Sequence, residues 1–404
     1  MSNNGDDIDE DQQVEEEEEV EKPPFHFEII RKVNKEEDRA RVHDIIRGGL
    51  SQIGKSHNQN GYAYTNLDVK DKKITDLYDL LPQYQHLRVG DFSKNSIADV
   101  STLNQIPYLL DLNLSFNKIS TLAPFTPADR LQFLQTLDLS NNKLTELDAI
   151  ALPKLRKLNL SSNQIESCEK LNGHPTLENL EIRGNKLKNL KGIEKMPNLK
   201  ELDASENQIN NINDLDKLPS LKTLLLLKNK LTGFVSPLPE LESLFFLNVG
   251  TNKIKNPKEL EKLREFTTLK ALEISENPFA DEFGGECKKE VLMILPQLTK
   301  IGDEEVEEDE RKDALDTLKA RIEAEEEERR QKEEEERLRL EEEERLRQEE
   351  EARLAEEAAA EAERLKQEEE ERRLQEEMAK KAAEEQAEAG GDDADGDGDE
   401  DDDS

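Results

Sequence analysis

The chain has 404 residues, and its 95 acidic and 57 basic side chains give a formal net charge of −38 at pH 7. This charge argues against binding of nucleic-acid phosphates as the main activity, and it favours solubility or basic partners. The two cysteines, Cys168 and Cys287, indicate a reducing compartment, and neither has a histidine at metal-ligand spacing. No apolar run reaches the length of about 18 residues that a membrane-spanning helix requires.

The N-terminal segment divides into a tail and a helix. Residues 1–24 are acidic and end in two prolines, which predicts a disordered tail rather than a signal peptide. Residues 25–60 are predicted to form an N-terminal capping helix, because apolar residues recur at helical spacing from Val33 to about Ile53, with Asn34 as the N-cap. We expect this helix to cover the first strand of the domain that follows.

The segment Gly49–Ser56 matches the phosphate-binding pattern G-x-x-x-x-G-K-S. That chemistry requires a buried strand before the loop and a helix after it, so that backbone amides face the phosphates. Here a predicted helix precedes the segment and a polar, helix-breaking run follows it. The match is therefore interpreted as coincidental, and no nucleotide or other cofactor is predicted.

Residues 61–277 repeat the frame L-x-x-L-x-L-x-x-N-x-L at intervals of 21 to 25 residues. This frame is typical of a leucine-rich repeat, in which each repeat contributes a short strand and a turn to a curved stack. The asparagine is expected to bond backbone groups that the turn leaves unpaired. The nine frame asparagines are Asn95, Asn117, Asn142, Asn163, Asn185, Asn207, Asn229, Asn252 and Asn277.

A degenerate unit precedes the nine, with Lys72 in place of the asparagine, so the sequence predicts an α/β solenoid of about ten repeats. Gly90 and Ala204 replace frame leucines and should thin the core unless neighbours fill the space. Cys168 occupies a position that is leucine or valine in other repeats and is interpreted as a small core residue.

After the repeats, residues 278–302 are predicted to form a C-terminal cap. It should contain a helix from about Cys287 to Leu295, whose apolar side chains would cover the open edge of the last strand. The residues expected to do this are Val291, Leu292, Ile294 and Leu295.

Residues 303–389 consist almost entirely of Glu, Arg, Lys, Ala, Gln and Leu and are predicted to form one long charged helix. Glutamates precede arginines by four residues many times, as in Glu341–Arg345 and Glu349–Arg353, which favours the helix. The leucines are spaced by eight residues and leave any single seam, so an isolated helix is preferred to the alternative of a coiled coil. Residues 390–404 are predicted to form a disordered, Asp-rich tail.

The segments that flank the repeats resemble those of the leucine-rich repeat-containing protein 23 family, radial-spoke proteins of motile cilia. The resemblance covers roughly residues 40–330. The chain departs from the family in having a longer Glu/Arg helix and an aspartate tail. The residues that carry it are Gly61-Tyr62-Ala63-Tyr64, Leu67-Asp68-Val69-Lys70, Ile74-Thr75-Asp76-Leu77, Asn277-Pro278, Val291-Leu292 and Leu295-Pro296-Gln297-Leu298. It implies a non-enzymatic adaptor in the axoneme, within the cytoskeleton of the cilium and the cytoplasm, bound to other spoke subunits.

From the residues alone, the sequence carries no paired nucleophile and base, which favours a scaffold over an enzyme. An acidic, leucine-rich chaperone of basic proteins is the alternative. A binding surface is predicted on the concave face, where the residue four before each asparagine is an acid or amide in every repeat except at Leu225. Leu227 and Phe246 lie beside Leu225, and these three residues are predicted to form an exposed apolar protein-binding site. The alternative is that the long charged helix or a loop folds back and covers them.

Overall fold

A single 13-stranded sheet organises the chain, and its strands lie side by side in chain order. The computed structural model describes residues 25–56, 60–127, 129–171, 173–235 and 237–388. Strands β2 to β12 are parallel, while β1 and β13 are antiparallel to their only neighbours at the two edges. The strands are β1 (Leu50–Lys55), β2 (Tyr62–Asp68), β3 (Val89–Asp91), β4 (Asp111–Asn113), β5 (Thr136–Asp138), β6 (Lys157–Asn159), β7 (Asn179–Glu181), β8 (Glu201–Asp203), β9 (Thr223–Leu225), β10 (Phe246–Asn248), β11 (Ala271–Glu273), β12 (Lys300–Ile301) and β13 (Glu304–Glu305).

Each of the strands β3 to β11 has three residues, and its middle residue is buried in the core. In β5, Leu137 is fully buried, whereas Thr136 and Asp138 are half-exposed on the outer, concave face. Alternation of this kind is the period-2 pattern of a strand with one buried face. Short 3₁₀ segments such as Ser101–Gln105 connect one strand to the next. The predicted leucine-rich-repeat solenoid is thereby confirmed.

Every frame asparagine bonds at least four backbone groups, and Asn95 bonds five. The Nδ2 of Asn142 donates to the carbonyls of Leu139 (3.0 Å) and Ser140 (3.1 Å) in its own turn and to Leu114 (3.0 Å) in the preceding repeat. Its Oδ1 accepts from the amide of Ile119, also in the preceding repeat, at 3.0 Å. The same arrangement recurs at all nine asparagines, which confirms the role predicted from the frame.

The N-terminal capping helix was predicted to run to about Ile53, and this boundary is wrong. Helix α1 (Phe25–Gly49) ends at Gly49, where a side chain would meet the carbonyl oxygen of Asp68 at 2.3 Å. Residues Leu50–Lys55 instead form β1, which pairs with β2 and places Ile53 opposite Tyr64. Apolar spacing favoured a longer helix, but the unpaired backbone edge of β2 requires a partner, and β1 supplies it. Asn34 lies inside α1 rather than at its N-cap.

Two frame positions without leucine are accommodated differently. A Cβ on Gly90 would lie 2.8 Å from the ring of Phe92, which is fully buried, so this ring fills the space that the leucine would occupy. Ala204 is buried at its frame position. Cys168 is also fully buried, and burial raises the pKa of its thiol to about 12, as fits a core residue.

The C-terminal cap uses a hairpin in addition to the predicted helix. Two helices, α2 (Pro278–Phe283) and α3 (Cys287–Ile294), follow β11, and Val291 and Leu292 in α3 are buried. The sequence predicted that α3 would cover the open edge of β11, but β12 pairs with this edge instead. The outer edge of β12 is paired in turn with β13. Only a strand satisfies the backbone groups of a sheet edge, while the helix buries the apolar ends of the stack.

The long charged helix is α4 (Glu308–Glu388). Its first turns are fixed to the cap: Arg311 donates to the carbonyls of Pro296 and Leu298, Lys288 lies 2.7 Å from Glu310, and Ala314 is fully buried. A division between two compact units falls after Leu318.

Beyond Leu318, every side chain from 319 to 383 is exposed. Arg345 pairs with Glu349 at 3.9 Å rather than with Glu341 as predicted, because it has a glutamate four residues away on either side. Such exposed ion pairs contribute little to the stability of the helix, so it matters little which of the two glutamates Arg345 contacts. The predicted tails at 1–24 and 390–404 lie outside the described residues.

Replacing one frame asparagine should destabilise the solenoid strongly. Asn185→Ala would leave the buried carbonyl of Leu160 and the amide of Ile165 without their side-chain partners. Since each unsatisfied buried group costs about 1–3 kcal/mol, we expect a loss of about 3 kcal/mol in the free energy of unfolding, measured by urea titration. The control is Asn210→Ala, at an exposed asparagine, which should change it by less than about 0.5 kcal/mol. Equal losses would show that the frame amide has no special role.

Candidate protein-binding surface

The concave face carries a row of acids and amides at the ends of the repeat strands, and most of them serve the fold. Asp138 accepts a hydrogen bond from the amide of Ser140 at 2.8 Å, two residues further along the chain. The same bond is made at eight of these positions. They are Asp68, Asp91, Asn113, Asp138, Asn159, Asp203, Asn248 and Glu273. The row therefore stabilises the bend after each strand, a role that the sequence analysis did not assign to it.

Leu225 interrupts this row because its side chain cannot accept a hydrogen bond. It ends β9 and lies opposite Asn248, while Phe246 begins β10 opposite Thr223, so the two side chains are diagonal neighbours on adjacent strands. Leu227 lies two residues beyond Leu225, and its Cδ1 is 3.2 Å from where a Cβ on Gly250 would be. The structure thus brings the three predicted binding residues to one place on the concave face.

The three side chains are half-buried rather than fully exposed. Phe245, which the sequence analysis missed, is 53% exposed at the position just before β10. The backbone amide of Phe245 donates to the carbonyl of Lys222 at 2.9 Å, and this hydrogen bond fixes the position of Phe245 just before the strand. The doublet Phe245-Phe246 was the signal in the sequence for an exposed ring. Successive residues of an extended segment point to opposite sides, so the two rings cannot both point the same way.

An acidic groove of about 130 Å³ adjoins Leu225. Its walls include Glu181, Glu201, Asp203 and Thr223. Desolvation by these walls, together with the charges of Asp203, Asp138 and Glu201, raises the pKa of Glu181 above its ordinary value. Lys157 offsets part of this effect, so the groove offers a net negative charge directly beside the apolar side chain of Leu225.

The segment Gly49–Ser56 does not adopt the form of a phosphate-binding loop. Residues Leu50–Lys55 form β1, whose backbone pairs with β2, and the Ser56 hydroxyl donates to the carbonyl of Gly61 at 3.1 Å. Within the described residues, no cluster of three or more His, Cys, Asp or Glu side chains is placed to hold a metal ion. In the same part of the chain, no helix has the length and apolar character needed to cross a bilayer.

The family models that match this chain agree with this architecture. Two family models match, one described as "Leucine Rich repeats (2 copies)" over residues 132–173 and one as "Leucine-rich repeat" over residues 178–330. A solved structure of a leucine-rich-repeat protein from Leptospira interrogans is similar at 29% identity and a TM-score of 0.48, covering 59% of this chain and 65% of that one. The chain is a leucine-rich-repeat protein, a class that typically serves as a non-enzymatic scaffold for protein interactions.

Relatives with curated names identify the family. Leucine-rich repeat-containing protein 23 of Homo sapiens is 35% identical over 289 residues, which cover 70% of this chain and 81% of the relative. The Bos taurus protein of the same name is 33% identical, over 67% of this chain and 78% of the relative. The chain belongs to the leucine-rich repeat-containing protein 23 family.

The raised pKa of Glu181 makes a prediction about stability. Because the folded state favours the protonated form, ionised Glu181 destabilises the fold at neutral pH, and this cost disappears as the pH falls below the ordinary glutamate pKa. Glu181→Gln should therefore raise the urea midpoint at pH 8, and the gain should disappear as the pH falls through the raised pKa to the ordinary value of 4.5.

Glu206→Gln is the control of opposite sign. Hydrogen bonding and charge from Arg183, at 3.1 Å, hold the pKa of Glu206 below its usual value, so its carboxylate stabilises the fold above that value. Glu206→Gln should lower the urea midpoint at pH 8. A decrease for Glu181→Gln at this pH would mean that its carboxylate stabilises the solenoid.

Proposed function

We propose that the protein is a non-enzymatic adaptor of the axonemal radial spoke in motile cilia. Two facts support this proposal: the chain belongs to the leucine-rich repeat-containing protein 23 family, and its concave face carries a candidate binding site. The proposed location is the ciliary axoneme, and the proposed partners are other axonemal proteins.

The observation that supports the binding role is the cluster of apolar side chains, Leu225, Leu227 and Phe246, beside the acidic groove. Leu225 replaces a residue that fixes the bend after the strand in eight other repeats, so the fold does not explain its presence. Glu181 and Glu201 stand next to it and favour a positive charge. The partner segment that fits combines an apolar side chain, which packs on Leu225 and Phe246, with a lysine or arginine that reaches the groove.

Localisation tests the spoke proposal directly. The tagged full chain, expressed in a cell with motile cilia, should concentrate along the axoneme and remain there after the membrane is removed with detergent. Retention should survive moderate salt, since an apolar contact is not screened by ions. Nuclear accumulation, with basic partners lost at raised salt, would instead support an acidic chaperone of basic proteins.

The other repeats suggest a variant that tests the binding surface without damaging the core. Leu225→Asn with Phe246→Thr installs side-chain types that other repeats carry at these positions, as at Asn248 and Thr223. Asn at 225 would supply the turn acceptor, so the melting temperature should stay the same or rise. Axonemal retention should fall by about tenfold or more, as the loss of a central apolar anchor predicts.

A matched control places the same chemistry outside the proposed surface. Ile53→Asn removes an exposed apolar side chain from β1, far along the sheet order from β9. It should leave axonemal retention unchanged. Full retention of the Leu225→Asn, Phe246→Thr variant would place the binding site elsewhere.

A further inference from the structure

A second unusual surface lies near the N-terminal end of the sheet, on the edge where the chain enters the strands. His86, Tyr108 and Phe133 each stand three residues before a strand, in successive repeats. The ring centroids of His86 and Tyr108 are 6.5 Å apart with planes within 8°, and those of Tyr108 and Phe133 are 5.9 Å apart. In the next repeat, Lys154 takes the same position, with its Nζ 4.8 Å from the centre of the Phe133 ring.

Later repeats show that the fold does not require aromatic residues in this row. Thr176 and Thr268 occupy it and donate hydroxyl hydrogen bonds to the preceding repeat, at 2.8 Å to Leu155 and 2.9 Å to Leu244. The remaining later positions hold Asn198, Ser220 and Ser243. Three rings in succession therefore replace small polar residues, and they remain partly exposed.

Two further cations border the rings. Lys55 from β1 and Arg88 line a groove of about 170 Å³ together with His86, Tyr108, Leu110 and Phe133. Within the described residues, neither Lys55 nor Arg88 forms an ion pair. We call this surface, made of Lys55, His86, Arg88, Tyr108, Leu110, Phe133 and Lys154, the aromatic ledge. None of its members is acidic, although the whole chain has a net charge of −38.

The size and charge of the aromatic ledge define its occupant. A groove of about 170 Å³ holds one or two side chains and falls below the roughly 300–1,000 Å³ of sites for cofactors and other small molecules. Its apolar floor at Leu110 and its rings suit an aromatic or aliphatic side chain, and its cations suit carboxylates on either side of it. We propose that the aromatic ledge binds a short acidic peptide segment of a partner protein, with an apolar side chain inserted beside Tyr108.

This site is separate from the concave groove at Leu225 and prefers the opposite charge. The two surfaces therefore select different segments. A protein with both would join one partner that is basic and apolar to another that is acidic and apolar, and the second contact does not depend on the first.

Stacked rings with cations also occur where proteins bind single-stranded nucleic acids. Here the surrounding charge favours a peptide. A nucleic acid carries one phosphate per nucleotide and extends beyond the three cations of the aromatic ledge, where the acidic remainder of the chain would repel it. A short peptide places its few charges within about one Debye length of those cations, which is about 8 Å at physiological salt.

Fluorescence anisotropy of the full chain tests the proposal with three labelled probes. The first is a short peptide in which glutamate alternates with phenylalanine and leucine, the second is the same peptide with glutamine for glutamate, and the third is single-stranded oligothymidylate. The acidic peptide should bind saturably and at least about tenfold more tightly than either other probe. Absence of saturable binding, or tighter binding of oligothymidylate, would overturn the proposal.

Two variants locate the binding on the aromatic ledge. Arg88→Glu reverses an exposed charge and should weaken binding of the acidic peptide by about tenfold or more. Lys222→Glu is its matched control, because Lys222 holds the same position in a later repeat, one residue before β9, and it should leave binding unchanged. Tyr108→Ser, which installs a residue type of the later repeats, should weaken binding without changing the melting temperature. Equal effects of Arg88→Glu and Lys222→Glu would show that general charge, and not the aromatic ledge, attracts the peptide.

Discussion

Hydrogen bonds from each frame asparagine hold one repeat to the one before it, while its other hydrogen bonds close its own turn. The amide of Asn142 reaches the carbonyl of Leu114 and the backbone amide of Ile119, and both groups would otherwise be buried without partners. The strand beside it has only three residues and offers few backbone bonds of its own. The side-chain amide therefore supplies cohesion between repeats that a longer strand would obtain from its ladder. Asparagine occupies this position in nine successive frames of this chain.

Once the turn is fixed in this way, the side chain at each position of the repeat has a defined direction and a defined structural role. Middle strand residues such as Leu137 fill the core, and strand ends such as Asp138 accept the bond that bends the chain. A residue that fails its usual duty is then informative. Leu225 cannot form the bend's hydrogen bond, and Tyr108 stands as a large ring in a row where later repeats carry small polar residues such as Thr176. Leu225 and Tyr108 each add apolar surface to a row of positions that carries polar side chains in most other repeats.

The sequence predicted the solenoid, its asparagine bonds and the position of the unusual leucine, because all three follow from one short repeat. It missed the β1–β2 hairpin, since Leu50 and Ile53 fit a helical spacing as well as a strand and only the open edge of β2 decides between them. It also gave no sign that the residue before each asparagine is left-handed. Eight of these residues are not glycine and have φ between 51° and 59°, and only Gly184 is of the type that favours this region. The packing of Phe92 into the space at Gly90 was likewise invisible, because it depends on a side chain's direction rather than on a pattern.

The large negative charge of the chain does not by itself set what its surfaces bind. Every described side chain from 319 to 383 is exposed, and most of this stretch consists of glutamate and arginine. Charges there are screened within about 8 Å in physiological salt, so they influence neither the groove at Glu181 nor the aromatic ledge at Arg88 unless they come that close. Recognition is therefore decided by the few residues at each surface: the carboxylates of Glu181 and Glu201 at the groove, and Lys55 and Arg88 at the aromatic ledge, neither of which forms an ion pair among the described residues. Because the repeat fixes the direction of every row, a change at one of these positions alters the partner chemistry of that surface while the hydrogen bonds of the frame asparagines remain in place.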